Sequence, residues 1–183
     1  MSTIALDPPA EFRTNRLILR KPVPDDAPKL FDTYASDPQV ARFTTYRPHT
    51  HVETVQHWVS GLIARWDERS DFSYVITDTV EPRSVLGMIG MHPGPRWVGF
   101  GYALGKPHWH RGIAPEALKV LVDWALAQHD VYRAQAFCDV ENVASTRVME
   151  KAGMAREGIL KRFCIHPNIS PEPRDCLMYA RVR

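Results

Sequence analysis

The stretch Trp97–Gln128, WVGFGYALGKPHWHRGIAPEALKVLVDWALAQ, constrains the fold more than any other. It reads as a strand, a turn rich in backbone donors, and a strong helix. Val98, Phe100, Tyr102 and Leu104 alternate over 97–104 and predict the strand. From Ile113 to Gln128 the apolar residues Ala117, Leu118, Leu121, Val122, Trp124 and Ala125 leave only a narrow polar stripe at Glu116, Lys119 and Asp123. That spacing predicts a mostly buried helix. Pro115 falls in its first turn, where a missing N–H costs nothing. Between strand and helix lies Trp109-His110-Arg111-Gly112-Ile113-Ala114. The first turn of a helix has unpartnered N–H groups and partial positive charge. Gly112 and Ala114 are small enough for close approach, and Arg111 adds a full charge. Together they predict a cradle for a phosphate or diphosphate. Alone, an RGIA turn favours an ordinary strand-to-helix connection with a surface arginine, so the rest of the chain must decide.

The 183 residues suit one domain over 1–183, with 1–11 a loose leader. A net charge of +2, with basic residues scattered, argues against general nucleic-acid binding. Cys138, Cys164 and Cys176 have no CxxC spacing, which points to free thiols and a cytoplasmic setting. No apolar run suits a signal peptide or a bilayer span, so no membrane association is expected. The His49/His51 and His108/His110 pairs lack accompanying carboxylate or cysteine ligands, so no metal site is expected.

Before the central stretch, 16–20 reads as the first strand. A helix capped by Asp25 or Asp26 follows, with the stripe Ala27, Leu30, Phe31 and Tyr34. The connection 37–48 is irregular. Thr50 with Glu53 suggests a capping box opening a helix striped by Val52, Val55, Val59, Leu62, Ile63 and Trp66. Residues 72–77, 84–92 and 97–104 make an antiparallel meander. After the central helix come a strand at 132–139, a short helix capped by Asn142 and stopped at Gly153, and strands at 154–162 and 175–182 joined by a Pro-rich loop over 163–174. The order β-α-α-β-β-β-α-β-α-β-β predicts an α/β (α+β) mixed sheet covered by helices.

With RTNRLILRKPVPDDAPKLF, GYALGKPHWHRGIAPEAL, DVENVASTRVMEKAGMAREG and RDCLMYA at this spacing, the chain resembles the GNAT acetyltransferase superfamily, RimJ/RimL-like branch, over nearly its whole length. The resemblance implies a largely antiparallel seven-stranded sheet with four main helices and strands four and five splayed. It also implies acetyl-coenzyme A as cosubstrate and an acetyl group moved to a primary amine by direct attack through a tetrahedral intermediate. The coenzyme residues would be Tyr102, Ala103, Leu104, Trp109, His110, Arg111, Gly112, Ile113, Ala114, Asn142 and Ser145. A backbone N–H near Tyr102–Leu104 would stabilise the oxyanion, and Ser145 would protonate the thiolate. Ser145 also has a local reading, satisfying backbone groups in a first helical turn. The acceptor is expected between 37–49 and 163–174, at Phe43, Tyr46, Arg47 and His166.

Several positions depart from the family pattern. Trp109 stands where Gln or Arg is usual, and Ala114 where Gly is common. Met149 replaces a frequent tyrosine acid. Gly99 stands at the glutamate of E-x-G-Y, and Cys164 at another acid, leaving His110 and Glu157 as fallback bases. The acceptor stays open between a protein N-terminus, an amino acid and a small amine, and the chain between monomer and homodimer. A catalytically weak acyl-coenzyme A binding or sensing module, or transfer of another acyl group, remains the alternative. A different nucleotide-binding domain is remote, because neither GxxxxGK[ST] nor GxGxxG is present.

Overall fold

A computed structural model describes residues 3–183. Its sheet has eight strands in the order β1-β2-β3-β4-β5-β6-β8-β7, where β1 is Glu11–Arg13, β2 Leu17–Arg20, β3 Phe72–Asp78, β4 Val85–Pro93, β5 Trp97–Leu104, β6 Arg133–Asp139, β7 Ala155–Ile165 and β8 Pro173–Val182. All neighbours are antiparallel except β5 and β6. That mixed, largely antiparallel architecture is the expected one, with one strand more.

The additional strand, β1, begins at the last residue of the expected leader. The described part of that leader is docked, not loose. Ile4 N–H donates to the Gly94 carbonyl, Leu6 is buried, and the Tyr74 hydroxyl donates to the Pro9 carbonyl. Met1 and Ser2 lie outside the described residues.

The helices are α1 (Asp26–Leu30), α2 (Pro38–Ala41), α3 (Val52–Asp67), α4 (Ile113–Ala127) and α5 (Val143–Lys151). They cover both faces of the sheet, so β3 is buried on both sides and does not show a half-wet alternation. On one face, α4 buries Leu118, Leu121 and Val122 against Tyr74, Ile76 and Phe100. Full burial of those three helix side chains contributes roughly 5–9 kcal/mol. On the other, Leu30, Val55, Val59 and Leu62 pack with Val75, Val85 and Met88.

Local chemistry moves several boundaries. The Thr50–Glu53 capping box does not form; His51 is the N-cap, and the Thr54 hydroxyl donates to its carbonyl. The helix striped by Ala27, Leu30 and Tyr34 widens into a π-turn over Phe31–Ala35, whose end is held by the Ser36 hydroxyl on the Phe31 carbonyl. Strands β7 and β8 run on into the Pro-rich loop, reducing it to 166–172. Gly153 takes the expected left-handed conformation, φ +85°.

Candidate functional site

The parallel pair β5 and β6 is joined only at Trp97–Arg133, Val98–Ala134 and Gly99–Gln135. Beyond Gly99 the strands part, while β5 stays paired to β4 as far as Leu104–Gly87. Backbone groups alternate sides along a strand. Gly105 N–H bonds the Leu86 carbonyl on the β4 side, so Tyr102 and Leu104 turn their N–H and C=O toward the gap. A sheet edge opened inside a sheet can bond an extended ligand as though it were another strand.

At the mouth of that gap the chain enters α4. Gly112 is the N-cap at φ +74°, and His110 is left-handed at φ +60°. The N–H groups of His110, Arg111, Gly112, Ile113 and Ala114 find no backbone acceptor among the described residues. Backbone donors gathered at a helix start are the arrangement that the sequence led us to expect of an anion cradle. Arg111 is exposed beside it.

Two residues not expected there complete the cradle's frame. The Arg16 Nη1 donates to the Arg111 carbonyl at 3.2 Å, and its Nε bonds Glu116 Oε2 at 2.9 Å. Thr14 Oγ1 donates to the other Glu116 oxygen. The signal lay in an ordinary first strand, and nothing local ties residue 16 to residue 116. Trp109 turns back, its Nε1 donating to the Leu104 carbonyl at 2.8 Å. That indole N–H is therefore committed to the strand and not to a ligand.

Across the gap, Asn142 caps α5 as expected, accepting from Ser145 N–H at 3.2 Å. Ser145 Oγ lies 2.8 Å from the Tyr102 hydroxyl. Burial raises the Tyr102 pKa far above its usual value, against the lowering pull of Ser145, so the phenol keeps its proton. Burial likewise pushes the neighbouring Cys138 thiol up to about 11, with Ser145 again opposing. Met149 is wholly buried in the core.

A cavity of about 410 Å³ runs from Asn142, Ser145, Tyr102 and Ala103 to the side where the acceptor is expected. Phe43, Tyr46 and His166 line it, with Tyr34, Trp58 and Arg65. Arg47 is exposed and stands outside that lining, so it is not brought to the site. His166 needs a second correction: it is 2% exposed and works as a strut. Its Nδ1 faces the Thr44 carbonyl at 3.4 Å, and its Nε2 lies 3.7 Å from Cys176 Sγ and 4.0 Å from Asp139.

The fallback bases fare no better. Glu157, exposed on the edge strand β7, is paired with Arg133 of β6 and is absent from the cavity lining. His110 belongs to the cradle. Sequence reasoning missed the pair His92 and Asp71, hydrogen-bonded through Nδ1 and lining the same cavity.

Residues 16–155 match the family described as Acetyltransferase (GNAT) domain. An uncharacterized N-acetyltransferase, p20 of Bacillus licheniformis, is 29% identical over 154 residues, covering 82% of this chain and 85% of its own. The crystal structure of a GNAT-family acetyltransferase from Bacillus anthracis superposes with a TM-score of 0.81 at 26% identity, covering 94% of this chain and 98% of that one. RimL, a ribosomal L7/L12 alpha-N-protein acetyltransferase solved with coenzyme A, shares the fold with a TM-score of 0.80 at 22% identity, over 92% and 95% of the two chains. Among the described residues no helix is long and apolar enough to cross a membrane.

Proposed function

The chain belongs to the GNAT acetyltransferase family, and on that premise we propose that it moves an acetyl group from acetyl-coenzyme A to a primary amine on an apolar-flanked acceptor. The observation that carries the reading is the parting of β5 from β6 after Gly99, with five unpartnered N–H groups at its mouth. Those residues fit the coenzyme. The donors of His110 to Ala114 would hold its diphosphate, with Arg111 adding charge. The Tyr102 backbone would bond the pantetheine arm. The bound thioester supplies the activated acyl group.

Around the reacting end, this chain's side chains have distinct tasks. The Tyr102 N–H faces the gap and is the donor for oxygen charge developing there. The Ser145 and Tyr102 hydroxyls, 2.8 Å apart on the cavity wall, would offer hydrogen-bonding groups to the thioester sulfur. An ordinary thiol has a pKa near 8.5, and Tyr102 is held well above the usual phenol value. The pair would therefore stabilise the sulfur by hydrogen bonding, being too weakly acidic to protonate it downhill.

On the acceptor side, the aromatic wall of Tyr34, Phe43, Tyr46 and Trp58 favours an amine carried beside an apolar group. Arg65 at the same wall disfavours a polycationic acceptor. A peptide N-terminus or an amino acid meets both conditions.

Thiol release from acetyl-coenzyme A across an amine panel tests the reading, with thermal shifts for acetyl-coenzyme A, ATP and NAD alongside. The expected outcome is stabilisation by acetyl-coenzyme A alone and turnover on peptide-like amines. Tight binding without turnover on any amine would replace the proposal with an acyl-coenzyme A sensing module.

A further inference from the structure

The site as described lacks a base. Position 99, the glutamate of the family it resembles, is glycine here. The sheet register points to a substitute one strand away. Residues directly opposite in a β-ladder share a face. His92 of β4 is opposite Gly99 of β5, Gly90 is opposite Gly101, and Gly90 is opposite Ser73 of β3. His92 thus stands on the face that a side chain at position 99 would occupy.

Three glycines clear that face. A Cβ at Gly90 would lie 3.0 Å from His92 Nε2, one at Gly101 3.6 Å from it, and one at Gly99 3.7 Å from His92 Cβ. The ring therefore lies over a floor of bare backbone, where larger residues would fill the space. Its Nδ1 is bonded to Asp71 Oδ2, and the other Asp71 oxygen accepts from Ser73 Oγ at 3.3 Å. Asp71, Ser73, Gly90, His92 and Gly101 line the cavity that also reaches Tyr102 and Ser145. The His92 side chain is 50% exposed and Asp71 18%, which leaves the imidazole within reach of an acceptor.

Resting on the acetyltransfer reading, we propose that His92 is the general base of the reaction and Asp71 its positioning residue. The Asp71 carboxylate accepts a hydrogen bond from the Nδ1–H, fixing the tautomer that presents the Nε2 lone pair to the cavity. Nε2 removes one proton from the acceptor's ammonium, and the freed lone pair forms the new C–N bond. The C–S bond breaks with its electrons on sulfur. The second nitrogen proton neutralises that thiolate, and His92 returns its own proton to solvent. A carboxylate–imidazole pair, from Asp71 just before β3 and His92 on β4, takes the role of the carboxylate absent from β5.

The test compares wild type, His92→Ala, Asp71→Asn and the double variant His92→Ala/Gly99→Glu. The probes are propylamine, a short peptide with a free N-terminal serine, and aniline, which is neutral at pH 7 and needs no base. For the alkylamine or peptide, His92→Ala lowers kcat about 100-fold or more and removes the acidic limb of the pH profile. Asp71→Asn gives a smaller loss, and Gly99→Glu in the His92→Ala background restores part of it. Aniline turnover and the calorimetric Kd for acetyl-coenzyme A change little. Unaltered kcat and pH profile in His92→Ala overturn the assignment while acetyltransfer stands. So does an equal loss for aniline without rescue, which marks His92 as structural. A wild type that binds acetyl-coenzyme A but acetylates none of the three sinks the acetyltransfer reading, and His92's role with it.

Discussion

The two ends of the cavity are built from different materials. The cradle at 110–114 is backbone: left-handed residues, a helix start and N–H groups. The acceptor end is two loops stapled together by side chains. Asn168 Nδ2 donates to the Ala41 carbonyl at 2.6 Å and to the Tyr46 carbonyl at 2.7 Å. Thr44 Oγ1 reaches the same two carbonyls, each at 2.8 Å. His166 sits beneath them, beside Asp139 and Cys176. The cradle's donors all come from a short run of sequence, with Arg16 bracing it from outside through the Arg111 carbonyl. A site made of side chains depends on partners more than a hundred positions apart, and the whole fold must form before it exists.

If that contrast is real, damage to the staples should spare the cradle. The largest effect is expected at Arg174, whose Nε bonds Asp139 Oδ2 at 2.5 Å and whose Nη2 reaches Oδ1 at 3.1 Å. The Asp139 side chain is fully buried. Burial alone would raise its pKa, but Arg174 and the Glu141 N–H overcome it and hold the carboxyl below the usual range. Removing one partner of a buried pair typically costs about 3–5 kcal/mol, so Arg174→Met should lose about that much in a denaturant titration. The pH slope should flatten as well. In wild type the depressed carboxyl contributes stability above the unfolded pKa of about 3.9, lost as pH falls through the folded value. In the variant only the Glu141 N–H is left on the carboxylate to oppose burial, so the folded pKa moves back up and less stability is lost as pH falls from 7 to 4. Acetyl-coenzyme A affinity of the folded fraction should stay within about twofold; a loss as large as that from cradle damage breaks the contrast.

The reciprocal perturbation is Gly112→Glu, which sets a carboxylate against the diphosphate at a left-handed position. Like-charge contact costs several kcal/mol, so coenzyme affinity should fall about 100-fold by calorimetry. Gly112→Ala separates the charge from the backbone strain, which costs roughly 1–2 kcal/mol, and should lose about tenfold. Acceptor KM, measured at saturating coenzyme, should be nearly unchanged in both. Asn168→Ala should do the opposite at smaller scale. It removes one donor from each of two carbonyls that Thr44 still reaches, at about 0.5–1.5 kcal/mol per bond, and should raise acceptor KM without altering coenzyme affinity.

The same contrast governs what could be read from the chain. Strand, cradle and helix over 97–127 were legible because a periodicity, a Pro at the helix start and a left-handed glycine act locally. Asn142 was legible for the same reason, being a cap on its own helix. Arg16, Arg47 and His166 were not. Residue 16 meets residue 116 only through the topology, Arg47 turns outward, and His166 is swallowed by loops that extend β7 and β8 further than their prolines suggested. The His92–Asp71 pair was hidden by register. Only the β3–β4–β5 ladder places Asp71, Gly90 and Gly99 on one face, and the sequence shows no spacing that announces it.

Trp109 gives the smallest expected effect and the sharpest test, because it is a side chain inside the backbone-built end. It is 37% exposed, and its indole N–H straps the 105–109 turn to the Leu104 carbonyl, one of the groups facing the gap. Trp109→Phe keeps an aromatic ring over the turn and deletes that one donor. A typical net hydrogen bond is worth about 0.5–1.5 kcal/mol, and here water can reach the freed carbonyl, so the lower figure applies. Coenzyme affinity should fall about twofold, with faster hydrogen exchange confined to 105–112. A loss approaching that of Gly112→Glu would mean that the left-handed residues and the start of α4 do not hold the cradle unaided. The indole would then be the strut of this end, as His166 is of the other, and the division between backbone and side-chain construction would fail at its stronger half.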